Sequence, residues 1–368
     1  MAKKRNIIVG QSGGPTAVIN SSLAGVYKNA IERGFDKVYG MLHGIQGLLD
    51  EQYIDLSTQI HSELDIELLK RTPSAFLGSC RYKLPEIHED KAIYEKIFEI
   101  LNKLNIECFI YIGGNDSMDT IKKLSDYAIL TGQSQKFVGV PKTIDNDLWG
   151  SDLTFGFHSA VDVATNAIDC IHTTAASHGR VFIVEIMGHK VGWLALYAGI
   201  AGGADIILLP EIPYDIDVVV NAIRSRTKNG KNFTILAVAE GAISKENAAL
   251  TKKELKEKKK NGPVYPSVAY ELGAQISERT GQEIRVTVPG HMQRGGEPCP
   301  YDRVIATRLG AEAAEMIRRK EYGYMVALNN NKIEKIPLAD IAGKLKMVDP
   351  KSDIIREAKD VGISFGDE

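Results

Sequence analysis

Four short segments of this 368-residue chain carry the residue types that phosphate chemistry requires. The first is Gly10-Gln11-Ser12-Gly13-Gly14-Pro15-Thr16. Glycines let backbone N–H groups approach an anion, and a helix N-terminus behind them adds a favourable dipole. No Lys-Ser/Thr pair follows, so the segment is not a Walker loop, and its spacing is not the GxGxxG of dinucleotide folds. A plain tight turn uses the same glycines. The second segment is Gly113-Gly114-Asn115-Asp116-Ser117. Two glycines and oxygen-bearing side chains suit a phosphate that carries a hard cation, because Mg²⁺ prefers few carboxylates plus phosphate oxygens and water. Asp116 or Ser117 could equally cap a helix over 117–129.

The third segment is Pro141-Lys142-Thr143-Ile144-Asp145-Asn146-Asp147. One carboxylate can accept a hydroxyl proton while the other helps hold a metal, and phosphoryl transfer asks for little beyond a base, a metal and cations. Asp and Asn are also common turn formers. The fourth, Gly290-His291-Met292-Gln293-Arg294-Gly295-Gly296, follows a run containing Arg285. Arginine grips phosphate bidentately, and glycines let backbone close around it. Arg180 opens another apolar run, just past His178 and Gly179. Met187-Gly188-His189-Lys190 and Glu240-Gly241 close two more, where a Glu could meet sugar hydroxyls.

These segments need strands to hold them, and the pattern supplies strands. NIIVG (6–10), CFIYIGG (108–114), KFVGVP (136–141), RVFIVEIM (180–187), IILLPE (206–211), FTILAVAEG (233–241) and EIRVTVPG (283–290) are short apolar runs. Helical patterns alternate with them, from about Thr16 to Arg33, 94–105, from Ser117, from His158 to about Ala176, 268–280 and from Tyr301. Gly34 is placed to end the first helix. Strands apolar throughout are expected in a parallel sheet covered on both faces. The alternation predicts doubly wound α/β layers, with functional loops at the carboxyl ends of the strands.

Composition bounds the rest. With 44% hydrophobic and 25% charged residues, the chain can bury one large or two medium cores. A net charge of −2 gives no general field for nucleic acid or membrane, so anionic ligands must be held by a few placed cations. Cys80, Cys108, Cys170 and Cys299 form no CxxC pair and read as reduced thiols. The first apolar run is too short for a signal peptide, and no run approaches the roughly 18 residues of a membrane span. A cytoplasmic protein is expected. The run KKELKEKKKNGP (252–263) reads as a solvated helical face and loop, and 332–368 as a charged, partly helical tail.

In order, the segments resemble the phosphofructokinase family over roughly residues 6–320. The shared strings are the early GG loop, LGSxR (Leu77, Gly78, Ser79, Cys80, Arg81), GG-xx-S, P-x-TIDND, SxxR before the strand ending in MG, EG, and GHxQRGG. The resemblance implies two doubly wound, Rossmann-like three-layer α/β domains with the active site between them. Residues 1–150 plus about 276–325 would bind donor phosphates, 151–275 the sugar phosphate, and 326–368 would pack on both. Asp145 would be the general base on the sugar 1-hydroxyl, assisted by Lys142 and Thr143. An aspartate is ionised near neutrality without any shift and can accept that proton. Gly13, Gly14, Arg81, Gly114, Asp116 and Ser117 would meet the donor. Thr143, Asp145, Asp147, Arg180, Met187, Gly188, His189, Glu240, Arg285, His291 and Arg294 would meet the acceptor, with Arg180 and Arg285 reaching in from a neighbouring subunit of a homodimer or homotetramer. Mg²⁺ would fall to Asn115, Asp116 and Asp147.

Two positions bear on the donor. ATP-using members resemble GGDGS and PGTIDND, whereas this chain has GGNDS and PKTIDND. Asp116 adds bulk and negative charge beside the expected α-phosphate, and Lys142 adds an ammonium suited to a compact anion with no adenosine to anchor it. Both resemble the pyrophosphate-dependent branch, which implies reversible transfer from pyrophosphate to fructose 6-phosphate. The alternatives are an ATP-dependent sugar or nucleoside kinase of the same fold, sedoheptulose 7-phosphate as a second acceptor, and a non-catalytic binder of phosphorylated ligands. Asn115 stands where ATP-using relatives carry a metal-binding Asp, and His189 where the family usually shows Arg.

Overall fold

The computed structural model describes residues 5–368. Its strands are β1 (Asn6–Gln11), β2 (Lys37–Met41), β3 (Tyr53–Asp55), β4 (Ile106–Gly113), β5 (Lys136–Pro141), β6 (Val181–Ile186), β7 (Ile206–Leu208), β8 (Thr234–Ala239), β9 (Ile284–Thr287), β10 (Tyr324–Asn329) and β11 (Lys332–Pro337). The helices are α1 (Ile19–Glu32), α2 (Gly44–Leu49), α3 (Glu63–Arg71), α4 (Lys91–Lys103), α5 (Asn115–Thr131), α6 (Phe157–His178), α7 (Trp193–Ala201), α8 (Ile216–Lys228), α9 (Lys245–Ala248), α10 (Lys252–Asn261), α11 (Val268–Thr280), α12 (Pro300–Arg318), α13 (Leu338–Ile341) and α14 (Asp353–Asp360). The apolar runs read from the sequence all become strands, and the fold is the expected mixed α/β with parallel sheets. Among the described residues no helix is long and apolar enough to cross a membrane.

Two compact units form. The first contains the chain up to Ser159 together with Arg294–Lys346. Its sheet runs β11-β10-β5-β4-β1-β2-β3. The five strands from β10 to β2 are parallel, and the edge strands β3 and β11 are antiparallel. Side-chain alternation sends Ile7, Val9, Ile110, Val138 and Val140 to one face, against Leu23 and Leu309. It sends Ile8, Phe109, Tyr111 and Phe137 to the other, against Phe98 and Leu124. Both faces are therefore buried, which is why these strands read as unbroken apolar runs. The chain leaves β1 toward β2 on one side and returns to β4 on the other. That reversal makes β1/β4 the topological switch point, where α/β sheets open a crevice at the carboxyl ends of their strands. β5 lies next to β4, so the first three glycine and carboxylate segments emerge side by side.

Helix α1, which begins just behind the first loop, crosses α12 at backbone contact. A Cβ on Gly25 would lie 2.3 Å from the Thr307 carbonyl oxygen, and one on Gly310 only 2.0 Å from that of Ser22. Side chains larger than hydrogen at these two positions would force the helices apart.

The second unit contains Ala160–Gln293 and Met347–Glu368. Its parallel sheet runs β7-β8-β6-β9, with a core of Ile183, Ile206, Leu236, Val238, Leu272 and Ile276. Residues 276–293 sit in this unit, not with the first, because β9 pairs with β6. The segment 326–368 is divided at Lys346: β10 and β11 extend the first sheet, whereas Ser364 bridges to Ile206 in the second unit.

Candidate active site

The first loop is strapped in place by the LGSCR segment. Gln11 accepts from the Leu77 N–H at 3.0 Å, the Gly13 N–H donates to the Cys80 carbonyl at 3.0 Å, and the Ser79 hydroxyl donates to the Gly13 carbonyl at 2.6 Å. Gly13 holds φ +80°, a conformation that costs glycine little. Arg81 follows, exposed.

Lys142 occupies the centre of this unit's site. Its backbone N–H donates to the Gly113 carbonyl at 3.0 Å, continuing the β4–β5 ladder. Its side chain is 2% exposed, and Nζ donates to the Gly14 carbonyl at 2.6 Å. Burial pushes the ammonium down to about 8; Asp145 opposes this, while Arg294 and Arg81 deepen it. A Cβ on Gly13 would lie 3.1 Å from Nζ, and one on Gly14 would lie 3.1 Å from the Arg294 Cζ. Two bare glycines thus face two cations. Bare backbone beside fixed cations suits phosphate oxygens.

The carboxylates follow directly. The Thr143 hydroxyl accepts from the Asp145 N–H at 3.1 Å, and the Thr143 carbonyl accepts from Thr154 at 2.8 Å. Asn146, at φ +53°, makes the bend between Asp145 and Asp147. Asp147 accepts from the Asn115 amide at 2.7 Å, linking the second and third segments. Ser117 is buried, and a Cβ on Gly113 would lie 2.0 Å from its hydroxyl oxygen, so residue 113 must be glycine. Asp116 sits exposed in the first turn of α5. Neither Asp116 nor Ser117 caps that helix: Gly114 is the N-cap, because α5 starts at Asn115 and draws both residues into its first turn. The structure thus brings Gly13, Gly14, Lys142, Thr143 and Arg294 together, and pairs Asn115 with Asp147. One carboxylate backed by an amide is the kind of small donor set that Mg²⁺ takes when phosphate oxygens complete its shell.

The second unit carries the remaining candidates. Glu240 accepts from the backbone N–H groups of Gly188 (3.3 Å) and His189 (2.7 Å). Gly188 is at φ +148° and has no room for a side chain, since a Cβ would lie 2.4 Å from the Val191 carbonyl oxygen. His189 itself is left-handed and exposed. The Met187 N–H donates to Gln293 at 3.2 Å, and His291 is exposed in the short helical turn before Arg294. Glu240 and His189 border a cavity of about 700 Å³ that also meets Glu185, Tyr214 and Ser244. Arg180 and Arg285 both pair with Glu283, the first at 2.5 Å. Glu283 and Gln293 were not singled out in the sequence. Glu283 lies outside every glycine-rich or carboxylate string, Gln293 sits inside the fourth segment with no charge to mark it, and only the pairing of β9 with β6 sets Glu283 against Arg180.

Comparison with known proteins bears on this arrangement. The sequence model described as Phosphofructokinase matches residues 6–317. An ATP-dependent 6-phosphofructokinase of Spirochaeta thermophila is 44% identical over 97% of this chain and 96% of its own length. ATP-dependent 6-phosphofructokinase 3 of Bacteroides thetaiotaomicron is 38% identical, over 96% of this chain and 98% of its own. Among solved structures, the pyrophosphate-dependent phosphofructokinase of Nitrosospira multiformis superposes with a TM-score of 0.84 at 28% identity, covering 99% of this chain and 92% of that one.

Proposed function

The chain belongs to the phosphofructokinase family, and from that premise we propose that it phosphorylates fructose 6-phosphate with inorganic pyrophosphate as the donor. In this reading Asp145 takes the proton of the sugar 1-hydroxyl. The hydroxyl oxygen bonds to one phosphorus of pyrophosphate, the bridging P–O bond breaks, and orthophosphate leaves. Lys142, with the backbone of Gly13 and Gly14, receives the donor's charge. Arg294 and His291 hold the 6-phosphate, with Arg180 and Arg285 reaching in from a neighbouring subunit, while Met187, Gly188, His189 and Glu240 contact the sugar. Mg²⁺ would be held by Asp147, oriented by Asn115, together with the donor's oxygens. It would neutralise charge on the transferring group. The resemblance to the pyrophosphate-dependent branch implies that the transfer runs in both directions, in a reducing cytosolic setting suited to four free thiols.

The observation that carries the donor assignment is the buried Lys142 ammonium bonded to Gly14. It puts a fixed cation inside the glycine loop, where a donor lacking any adenosine needs its grip. Asp116, exposed at the start of α5, adds bulk and charge against a longer phosphate chain. A coupled assay offering each donor in turn tests this. Turnover with pyrophosphate and little with ATP is expected; robust use of ATP alone overturns it. ATP is the second reading, favoured by the names of the relatives at 44% and 38% identity.

A further inference from the structure

We propose that Lys346 is a positioning residue for phosphoryl transfer, its ammonium fixing the bend that carries Asp145 and Asp147. The proposal rests on the reading of Asp145 as the base. Nζ donates to the Asn146 side-chain oxygen at 2.9 Å and to the carbonyls of Ser151 and Asp152 at 2.7 Å each. An ammonium has three donors, and each meets an acceptor in this one loop. The Lys346 backbone N–H donates to the Asp147 carbonyl at 2.9 Å, and Leu345 bridges to Leu148. The grip is therefore on both main chain and side chain.

Asn146 is the part that is gripped. It is 3% exposed and left-handed, and its side-chain oxygen also accepts from the Thr154 N–H at 3.0 Å. Its own amide donates to the Asp152 carbonyl at 3.3 Å. A left-handed residue persists only where its surroundings hold it there. With Lys346 removed, the Asn146 oxygen and two carbonyls lose their common donor. The bend between the two carboxylates then loses its support from below, while Thr143, Lys142 and the loops above stay intact.

A positioning role predicts a loss in turnover, not in binding. Misplacing a catalytic group by about 1 Å can cost on the order of 10²-fold in rate. Lys346→Met is expected to lower kcat by about ten- to a hundredfold, with the KM for fructose 6-phosphate changed less than about threefold. Ethylammonium added to Lys346→Ala should restore part of the rate. Tetramethylammonium, which has the charge but no N–H, should not. Lys346→Arg covers the case in which neither variant folds: it keeps charge and donors on a larger planar head, and should lower kcat at least about threefold at unchanged KM. A normal kcat in any folded variant, or a loss confined to KM, overturns the proposal. Asp145→Asn separates this from the underlying reading. A dead Asp145→Asn beside a fully active Lys346→Met sinks the positioning role alone, whereas an active Asp145→Asn sinks the reading.

Discussion

The Lys142 ammonium donates to the Gly14 carbonyl at 2.6 Å, joining the loop after β5 to the loop after β1 across two intervening parallel ladders. The contact places a buried cation on the backbone face of a glycine pair. Lys142→Met, which keeps length and removes charge, should lower kcat/KM for pyrophosphate by about 10²-fold or more, the usual cost of a lost charge-stabilising donor. Steady-state kinetics with a thermal midpoint measured alongside checks this. The fold should hold, because the variant also removes the cost of burying an ammonium.

The same lysine sets a pH dependence. Burial lowers its pKa from 10.5 to about 8. Between those values the unfolded chain keeps a proton that the fold has released. Stability from this group therefore rises with pH across that window, and the burial penalty is present in full below pH 8. A bound anion favours the charged form, so donor binding takes up a proton near pH 8. The KM for pyrophosphate should stay level below that point and rise by up to about tenfold per pH unit above it. Lys142→Arg, charged throughout, should flatten the rise. A wild-type profile that stays level to pH 9.5 contradicts the assignment.

Asn115 donates to Asp147 at 2.7 Å. If that amide orients a metal-holding carboxylate, Asn115→Ala should raise the Mg²⁺ concentration needed for half-maximal rate by about tenfold, within the range for lost supporting contacts to a metal ligand. The maximal rate at saturating Mg²⁺ should change much less. Titration of activity with Mg²⁺ distinguishes this from a collapse of the site, which lowers the plateau as well.

Glu283 holds both Arg180 and Arg285. It competes with any sugar phosphate those arginines would grip. Glu283→Gln should lower the KM for fructose 6-phosphate by a few-fold, a change suited to partly exposed ion pairs. Arg180→Ala and Arg285→Ala should each raise it. A Glu283→Gln variant with a raised KM would mean the carboxylate orients the arginines instead of restraining them.

Much of this arrangement was legible in the sequence, and the reasons are local. KFVGVP became β5 over the same residues, 136–141, because a central parallel strand is apolar on both faces. IILLPE shortened to Ile206–Leu208, since Pro210 cannot donate to a ladder. The tail was harder to read. β11 is KIEKIP, an exposed and charged edge strand whose existence depends on pairing with β10. Lys346 looks like any solvated lysine until the chain brings it beneath Asn146, 200 residues away. Glu283 and Arg180 likewise meet only across strands that the sequence cannot register.

The donor is what the chemistry turns on, and ³¹P NMR of the purified protein with fructose 6-phosphate, Mg²⁺ and each donor separately reads it without coupling enzymes. Pyrophosphate should disappear as orthophosphate and a new sugar 1-phosphate resonance grow in equal amounts, with the ATP sample nearly unchanged. Conversion of ATP to ADP and the bisphosphate, with pyrophosphate left intact, would contradict it.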